Sequence, residues 1–576
     1  MRRRNSFIRT ISTYTRYPDE QQKLLYLAWS AAWLRKAEVE AARVQGITLY
    51  DLMQRAAAAF FKVVCTEVPN AKKWLVLCGS GNNGGDGFEV ARRASSRGGG
   101  TCVTVITVAG SKPLPPEAAA AYAALQEERQ KPGVEIVMKD ARTWLEEGAS
   151  LSGVDVVVDG LLGTGMGGAP RGDYAAIIDR VNESGKPCFA IDIPSGLDAE
   201  TGDVKGSCIR AVHTVTFIAV KPGLLTGSAR NHVGKLHYDS LDLADWLLLP
   251  DQQRDVFCRR LESSHLFPLL SRSEPRRCIN KAMNGKLLVV GGDSGFGGAI
   301  AMAAEAALRS GCGLVRVLTR AEHAAPIMCR CPEVMTQTLT EESLRMGLQW
   351  ASCVAIGPGL GQGAWGIEAL RVVEIHLREN INIPSVWDAD ALNILATFSR
   401  KRNDGEQQPP SVRLNNRVIT PHSAEASRLL GCTVSEVEQN RYRAAEELVA
   451  RYGGVVLLKG PGTVLRSAED ARVPVPTGTA AELLFPACAV ADVGNSGMAS
   501  GGMGDVLTGI IAGLLAQQFP LWQATCAGCL VHGTAADLAA SSQGGERGLT
   551  ATTLFKYLPV CLNPTPEGFQ ASQCYL

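Results

Sequence analysis

Trp74-Leu-Val-Leu-Cys78-Gly-Ser-Gly-Asn-Asn-Gly-Gly-Asp-Gly87 runs a short apolar strand directly into a glycine-rich turn. A helical segment follows, and Gly79, Gly81 and Gly84 complete a GxGxxG in the strand-before, helix-after context of a dinucleotide fold. The hydride-transferring version of that fold needs a carboxylate at the end of the next strand to hold a ribose. Val105-Ile-Thr-Val-Ala-Gly-Ser-Lys112 has none, which disfavours a dehydrogenase. The turn instead offers side-chain oxygens from Asn82, Asn83 and Asp86 among backbone amides. Such oxygens bind a monovalent cation or a ribose, while the amides suit a phosphate.

Outward from this turn the chain keeps one rhythm. Upstream, Thr48 caps a helix, Asp51 suits its positive end, and Leu49, Leu52, Met53 and Ala56 form one apolar face. Downstream, strands are expected at 102–108, 154–158, 188–193 and 214–220, with helices between them. Short apolar strands alternating with helices predict an α/β fold with a doubly wound parallel sheet. A polar stretch from about Pro250 to Asn284 breaks the rhythm, which restarts with strands at 286–290, 314–318, 353–356, 385–387, 418–420 and 455–458. Two domains are therefore expected, 20–250 and 260–565. Insertions at 401–414 and about 466–489 are expected to be surface loops.

The composition is that of a globular chain. Of 576 residues 46% are hydrophobic and 60 are glycine, about one in ten against an average of roughly 7%. Disorder and a collagen repeat are excluded, and no apolar run reaches the ~18 residues of a membrane span. A net charge of +1 gives no bulk attraction for nucleic acid or anionic lipid. The 17 cysteines are scattered and odd in number, as expected of reduced thiols in a cytoplasmic protein. Cys526-Ala-Gly-Cys529 with His532 lacks a second ligand pair and lies in an Ala-rich helical stretch, which disfavours a zinc site. Arg2–Arg4 and the apolar run Leu24–Leu34 loosely suggest a leader. About twenty polar residues separate them, so a ragged N-terminus is expected instead.

The remaining signals sit at strand ends, where open α/β sheets collect ligands. Val158-Asp-Gly-Leu-Leu-Gly-Thr-Gly-Met-Gly-Gly-Ala169 and Ile191-Asp-Ile-Pro-Ser-Gly196 each end an apolar strand with an aspartate. Lys221-Pro-Gly223 reads equally as a second charge near the ligand or as a surface turn. In the second half Gly291-Gly-Asp-Ser-Gly-Phe-Gly-Gly-Ala299, Gly357–Gly361, Trp387–Asn393, Thr420-Pro-His-Ser-Ala-Glu425 and Lys459-Gly-Pro-Gly-Thr463 occupy such positions, and no P-loop motif is present. Ala499-Ser-Gly-Gly-Met-Gly-Asp505 precedes an apolar helix. Gly501 to Gly504 let amides crowd a phosphate there, and Asp505 can take the proton of an attacking hydroxyl.

Asn-Asn-Gly-Gly-Asp, Asp-Gly-Leu-Leu-Gly-Thr-Gly and Asp-Ile-Pro-Ser-Gly, in this order and spacing, resemble the NAD(P)H-hydrate epimerase family. The second half resembles the ADP-dependent NAD(P)H-hydrate dehydratase family, and the fusion resembles the bacterial bifunctional repair enzymes, over roughly residues 30–563. The resemblance implies a Rossmann-like three-layer sandwich followed by a ribokinase-like domain. It implies potassium held by Asn83, Asp159 and Ser195. It implies NAD(P)H-hydrate held by Asn82, Asn83, Gly84, Gly85 and Asp86, by Gly163, Thr164, Gly165, Met166, Gly167, Gly168 and Ala169, and by Asp192. Asp192 is the candidate for proton transfer in C6 epimerisation, although a ribose-binding aspartate would read identically. In the dehydratase half the resemblance assigns Ala299, Gly359, His422 and Asp505 to the hydrate. Lys459, Gly460, Pro461, Gly462, Thr463 and Gly504 fall to ADP, with AMP and phosphate as products, and Glu425 to Mg²⁺. Small-molecule substrates and a homo-oligomer are expected, with no nucleic-acid or membrane partner. Asn280-Lys-Ala282 and Ser423-Ala424 depart from the family pattern, and Ala424 would crowd the site if its backbone needed a positive φ.

Overall fold

The computed structural model describes residues 23–565, apart from 98, 109, 111–112, 166, 272–277, 401–412 and 469–485. Met166 and most of both insertions thus lie outside the described residues. The chain divides into two compact units, one ending at Cys258 and the other starting at Arg259.

The first unit is one parallel sheet of β1 (Lys73–Cys78), β2 (Cys102–Thr107), β3 (Glu135–Asp140), β4 (Val156–Gly160), β5 (Cys188–Ile191), β6 (His213–Phe217) and β7 (Lys235–Asp239), in the order 3-2-1-4-5-6-7. The order reverses between β1 and β4, where doubly wound sheets bind ligands. Central strands are continuously apolar and buried on both faces, as parallel strands must be. The sequence rhythm missed β3 and β7, because these outer strands carry half-exposed polar residues. Helix α1 (Leu49–Glu67) starts on a capping box between Thr48 and Asp51. Helix α2 (Asn82–Ser95) begins inside the glycine turn itself. The run at 24–34 is folded into this unit: Leu24 and Trp29 are fully buried, and Ser30 caps a helix over Ala31–Gln45, while residues 1–22 of the expected ragged N-terminus lie outside the described residues.

The second unit orders β8 (Cys258–Leu261), β9 (Lys286–Val290), β10 (Leu314–Thr319), β11 (Met335–Thr338), β12 (Cys353–Ile356), β13 (Ser385–Trp387), β14 (Arg417–Ile419), β15 (Val455–Leu458), β16 (Thr463–Ser467) and β17 (Cys488–Ala491) as 8-17-16-15-14-13-12-9-10-11. All neighbours are parallel except β16, which runs antiparallel to β15 and β17. Two expectations change. The segment at 466–489 is not wholly a surface loop, because its ends belong to β16 and β17 and are largely buried there. The polar break after Pro250 likewise contains β8, which pairs with β17.

Helix α3 (Gly297–Arg309) follows β9, α4 (Ser423–Leu430) follows β14, and α5 (Arg441–Tyr452) precedes β15. Helices α6 (Met503–Ala516) and α7 (Leu521–Gln543) are largely buried. Helix α6 lies directly on α3, because a Cβ on Gly509 would stand 2.2 Å from the Ala303 carbonyl oxygen and one on Gly513 2.8 Å from that of Ala307. Cys526, Cys529 and His532 are buried along α7, where burial lowers the His532 pKa to about 4. They form no three-ligand cluster. No helix among the described residues is long and apolar enough to cross a membrane.

Candidate active sites

In the first unit β1 and β4 bring the glycine turn against the end of β4. A Cβ on Gly79 would lie 1.8 Å from the Leu161 carbonyl oxygen, so only glycine allows this approach. Asp159 is fully buried at the end of β4. Its carboxylate accepts from Ser195 N at 2.8 Å, Ser195 Oγ at 2.6 Å and Leu161 N at 3.2 Å. Ser195 Oγ accepts from Leu162 N at 2.8 Å, and the Leu162 carbonyl accepts from Asn83 Nδ2 at 3.0 Å. Asn83, Asp159 and Ser195 therefore converge on one peptide segment. Burial raises the Asp159 pKa to about 6, and among the described residues no cationic side chain pairs with it.

Asp192 takes a left-handed backbone conformation, φ 62°, uncommon for a non-glycine residue. Its Oδ1 accepts from Thr216 Oγ1 and Phe217 N, each at 3.1 Å, and from the ammonium of Lys221. Lys221 is 1% exposed and also donates to the Phe217 carbonyl at 3.0 Å. The alternative left open by the sequence is thus resolved: this lysine is a buried charge on Asp192, not a surface turn. Burial first, then the negative charges of Asp192, Glu38 and Glu89, push the Asp86 carboxyl well above its ordinary range. Glu38 is raised by burial and by Asp192, against the Lys221 ammonium. No sequence signal marked Glu38, because it is one of two glutamates on an alanine-rich helix with no motif around it. Gly165, Gly167 and Gly168 have nothing within 4 Å of a would-be Cβ, whereas Gly163 packs on Asn83. A cavity of about 190 Å³ opens beside Gly163 and Thr164, with Arg35, Asp198 and Glu200 on its walls.

In the second unit the ends of β13, β14 and β15 meet the start of α6. Lys459 Nζ donates to Asp388 Oδ1 at 2.8 Å and lies 3.9 Å from Glu425 Oε2. Asp388 is 1% exposed, and its Oδ2 accepts from Thr508 Oγ1 at 2.9 Å. A Cβ on Gly504 would stand 3.2 Å from Lys459 Nζ and 3.3 Å from Asp388 Oδ2. Burial, then the charge of Asp388, raises the Asp505 pKa to about 7, while Lys459 opposes. Glu425 rises to about 7 through burial and the Asp388 charge. Burial works against the Lys459 ammonium, but Asp388, Glu425 and Asp505 hold its pKa above the ordinary value.

His422 caps α4 together with Glu425, whose Oε2 accepts from His422 N at 2.8 Å. Ala424 lies in the first turn of that helix without a positive φ, so the crowding expected of it does not arise. Gly359 (φ 59°) packs its would-be Cβ 3.4 Å from the Ala299 Cβ. Gly502 packs on Met302 of α3, joining this second loop to the first.

Two residues lacked a role from the sequence. Asp388 was one acid in a quoted strand end, and its function emerges only where β15 supplies Lys459. Arg441, fully buried on α5, donates to the Leu458 and Lys459 carbonyls at 3.0 Å each. It thereby fixes the loop of Gly460, Pro461, Gly462 and Thr463, and Thr463 Oγ1 donates to the Gly460 carbonyl at 3.1 Å.

Two α/β units, one with carboxyls at a topological switch point and one with a glycine-rich helix start facing a lysine and three carboxylates, define a two-site enzyme acting on phosphate-bearing ligands. Residues 49–223 match the YjeF-related protein N-terminus family, and residues 287–484 and 485–560 match the NAD(P)H-hydrate dehydratase family. The bifunctional NAD(P)H-hydrate repair enzyme of Escherichia coli (strain K12) is 47% identical over 540 residues, 94% of each chain. That of Leishmania major is 45% identical over 568 residues, 96% of each, so the similarity is not confined to bacteria. A solved ADP/ATP-dependent NAD(P)H-hydrate dehydratase from Bacillus subtilis, co-crystallised with ATP and Mg²⁺, is 25% identical. It covers 52% of this chain and 95% of its own, with a TM-score of 0.42. The chain belongs to the bifunctional NAD(P)H-hydrate repair enzyme family, which joins an epimerase to a dehydratase.

Proposed function

We propose that the second site uses Asp505 as the base of an ADP-dependent dehydration. The observation that carries this reading is a carboxyl of pKa about 7 in the first turn of a glycine-led helix, beside Lys459. A base poised near neutral pH suits proton removal from an alcohol. Asp505 would take the proton of the C6 hydroxyl as that oxygen attacks the terminal phosphoryl of ADP, and AMP would leave. The ring nitrogen would then expel phosphate from C6, and loss of the C5 proton would restore NAD(P)H. Lys459 and the amides of Gly501 to Gly504 oppose the phosphoryl charge, and Ala299, Gly359 and His422 seat the hydrate. Three carboxylates face one ammonium here, a surplus of negative charge that fits a divalent cation. Glu425 would hold Mg²⁺, which when bound would neutralise phosphate oxygens.

In the first site Asp192 is ion-paired with Lys221, whereas burial pushes Asp86 toward its protonated form, so the two carboxyls sit in different environments. Asp86 would donate a proton to the C6 hydroxyl as it leaves as water. Asp192 would accept the proton of the water returning on the opposite face. Asn82, Gly84, Gly85 and the open 163–169 loop would hold the dinucleotide phosphates. Asp159 is a buried carboxylate without a cationic partner among the described residues, and with the side-chain oxygens of Asn83 and Ser195 it fits potassium. Bound there, K⁺ would supply positive charge near a phosphate.

The test is incubation of the full chain with epimeric NADH-hydrate and ADP. Recovery of the reduced-nicotinamide absorbance with AMP formed in step supports the reading. A stable phosphorylated alcohol would make the second unit a ribokinase-like kinase instead.

A further inference from the structure

The carboxyl ends of the first sheet carry the epimerase residues, while its amino ends carry a group that the reaction does not use. His213 opens β6, His237 lies on the adjacent β7, and Glu67 is the last residue of α1. The parallel register pairs His213 with Lys235 and Val215 with His237, so both imidazoles rise from the same face. His213 Nδ1 and His237 Nε2 are 3.0 Å apart. Glu67 Oε2 is 3.9 Å from His213 Nε2, and Glu67 Oε1 is 3.9 Å from His237 Nε2. One ligand atom from each lies within 4.8 Å of the others, the one such group of three among the described residues.

We propose that Glu67, His213 and His237 form a zinc-class metal site. Two imidazoles and a carboxylate are a zinc donor set, and tetrahedral bonds of about 2.0–2.1 Å place ligand atoms roughly 3.3 Å apart. His237 Nε2 stands 3.0 Å from His213 Nδ1 and 3.9 Å from Glu67 Oε1, separations that straddle that spacing, so small side-chain rotations close the site. The imidazole–imidazole contact requires a lone pair on one ring. The pair is therefore not doubly protonated, and a tautomer change presents nitrogens from both. The His213 ring is already held by stacking on Phe189, with centroids 4.5 Å apart and planes 16° from parallel.

Lys235 is the competitor. Its ammonium sits 2.6 Å from Glu67 Oε1, but its side chain is 62% exposed. Exposed ion pairs of this kind contribute little and are easily exchanged. A metal in its place would clip the end of α1 to two strands, remote in the sheet from the substrate groups. The site is thus a structural clip with one or more positions left to water.

The test uses the chelator-stripped full chain and Zn²⁺ alone, followed by calorimetry and thermal melts, with Co²⁺ as the spectroscopic probe. The wild type should bind one more Zn²⁺ equivalent than His237→Gln, gain melting temperature that this variant does not, and give tetrahedral Co²⁺ bands that it lacks. Lys235→Ala, an exposed change, should bind Zn²⁺ severalfold more tightly because the competing ammonium is gone. Equal zinc stoichiometry in wild type and His237→Gln overturns the proposal. If that variant does not fold, Lys235→Ala decides alone, and unchanged affinity overturns it.

Discussion

Replacing Asp505 by Asn should make the protein more stable and the dehydratase inactive, with a pH signature that ties the two effects together. The folded chain raises this carboxyl from an ordinary 3.8 to about 7. Between those values the folded state binds the proton more tightly than the unfolded chain does. Stability therefore falls as pH climbs from about 4 to about 7, and this contribution is constant above that range. At about 1.4 kcal/mol per tenfold change in proton affinity, the charged carboxylate costs at most about 4 kcal/mol. The Asn side chain keeps the shape without the charge, and Lys459 still has Asp388 as its partner at 2.8 Å. Urea unfolding should thus show a gain of about 2–4 kcal/mol for Asp505→Asn near pH 8.5, shrinking toward zero near pH 4.5. Dehydration should be lost while epimerisation persists. A gain of equal size at both pH values, or a loss at high pH, would refute the electrostatic account of the site.

Asp388→Asn removes the negative charge that raises Asp505 and Glu425. The acid limb of the dehydratase kcat/KM profile should move below pH 7, at a lower plateau because Lys459 loses its anchor; a pH–rate series checks this. Lys221→Met leaves Asp192 without its buried partner and should cost about 3–5 kcal/mol and the epimerase activity. The double change Asp192→Asn with Lys221→Met should restore stability in a melt without restoring epimerisation. Gly79→Ala forces a methyl group against the Leu161 carbonyl. It should abolish epimerisation and spare dehydration, measured on the same preparation.

Continuous apolar runs such as Leu287–Val290 or Val156–Val158 made the central strands legible, because a strand buried on both faces admits little else. Outer strands escaped for the converse reason: β11 reads Met335-Thr-Gln-Thr338 and carries no periodic apolar signal. The glycine loops revealed where ligands would sit, since close backbone approaches leave glycines in sequence. Charges acting through a partner stayed hidden. Asp388 and Lys459 are 71 residues apart, and Asp192 and Lys221 are 29 apart. Each pair exists only because parallel strands deliver their carboxyl ends to one edge. Local spacing carries no trace of such a meeting.

The glycine-and-alanine seam between α3 and α6 has a consequence for the order in which the enzyme comes into being. It joins segments separated by roughly 190 residues, from Arg309 to Met503, and contacts across so long a loop are costly to close before the intervening strands have docked. The loop before α3 and the glycine turn before α6 face each other only when that seam forms. A ribosome-bound chain that has reached β17 but not α6 has every nucleotide-loop strand and lacks Asp505, the proposed base. Catalytic competence in the second half is therefore a late event of folding, and dehydration activity reports that the whole unit has closed.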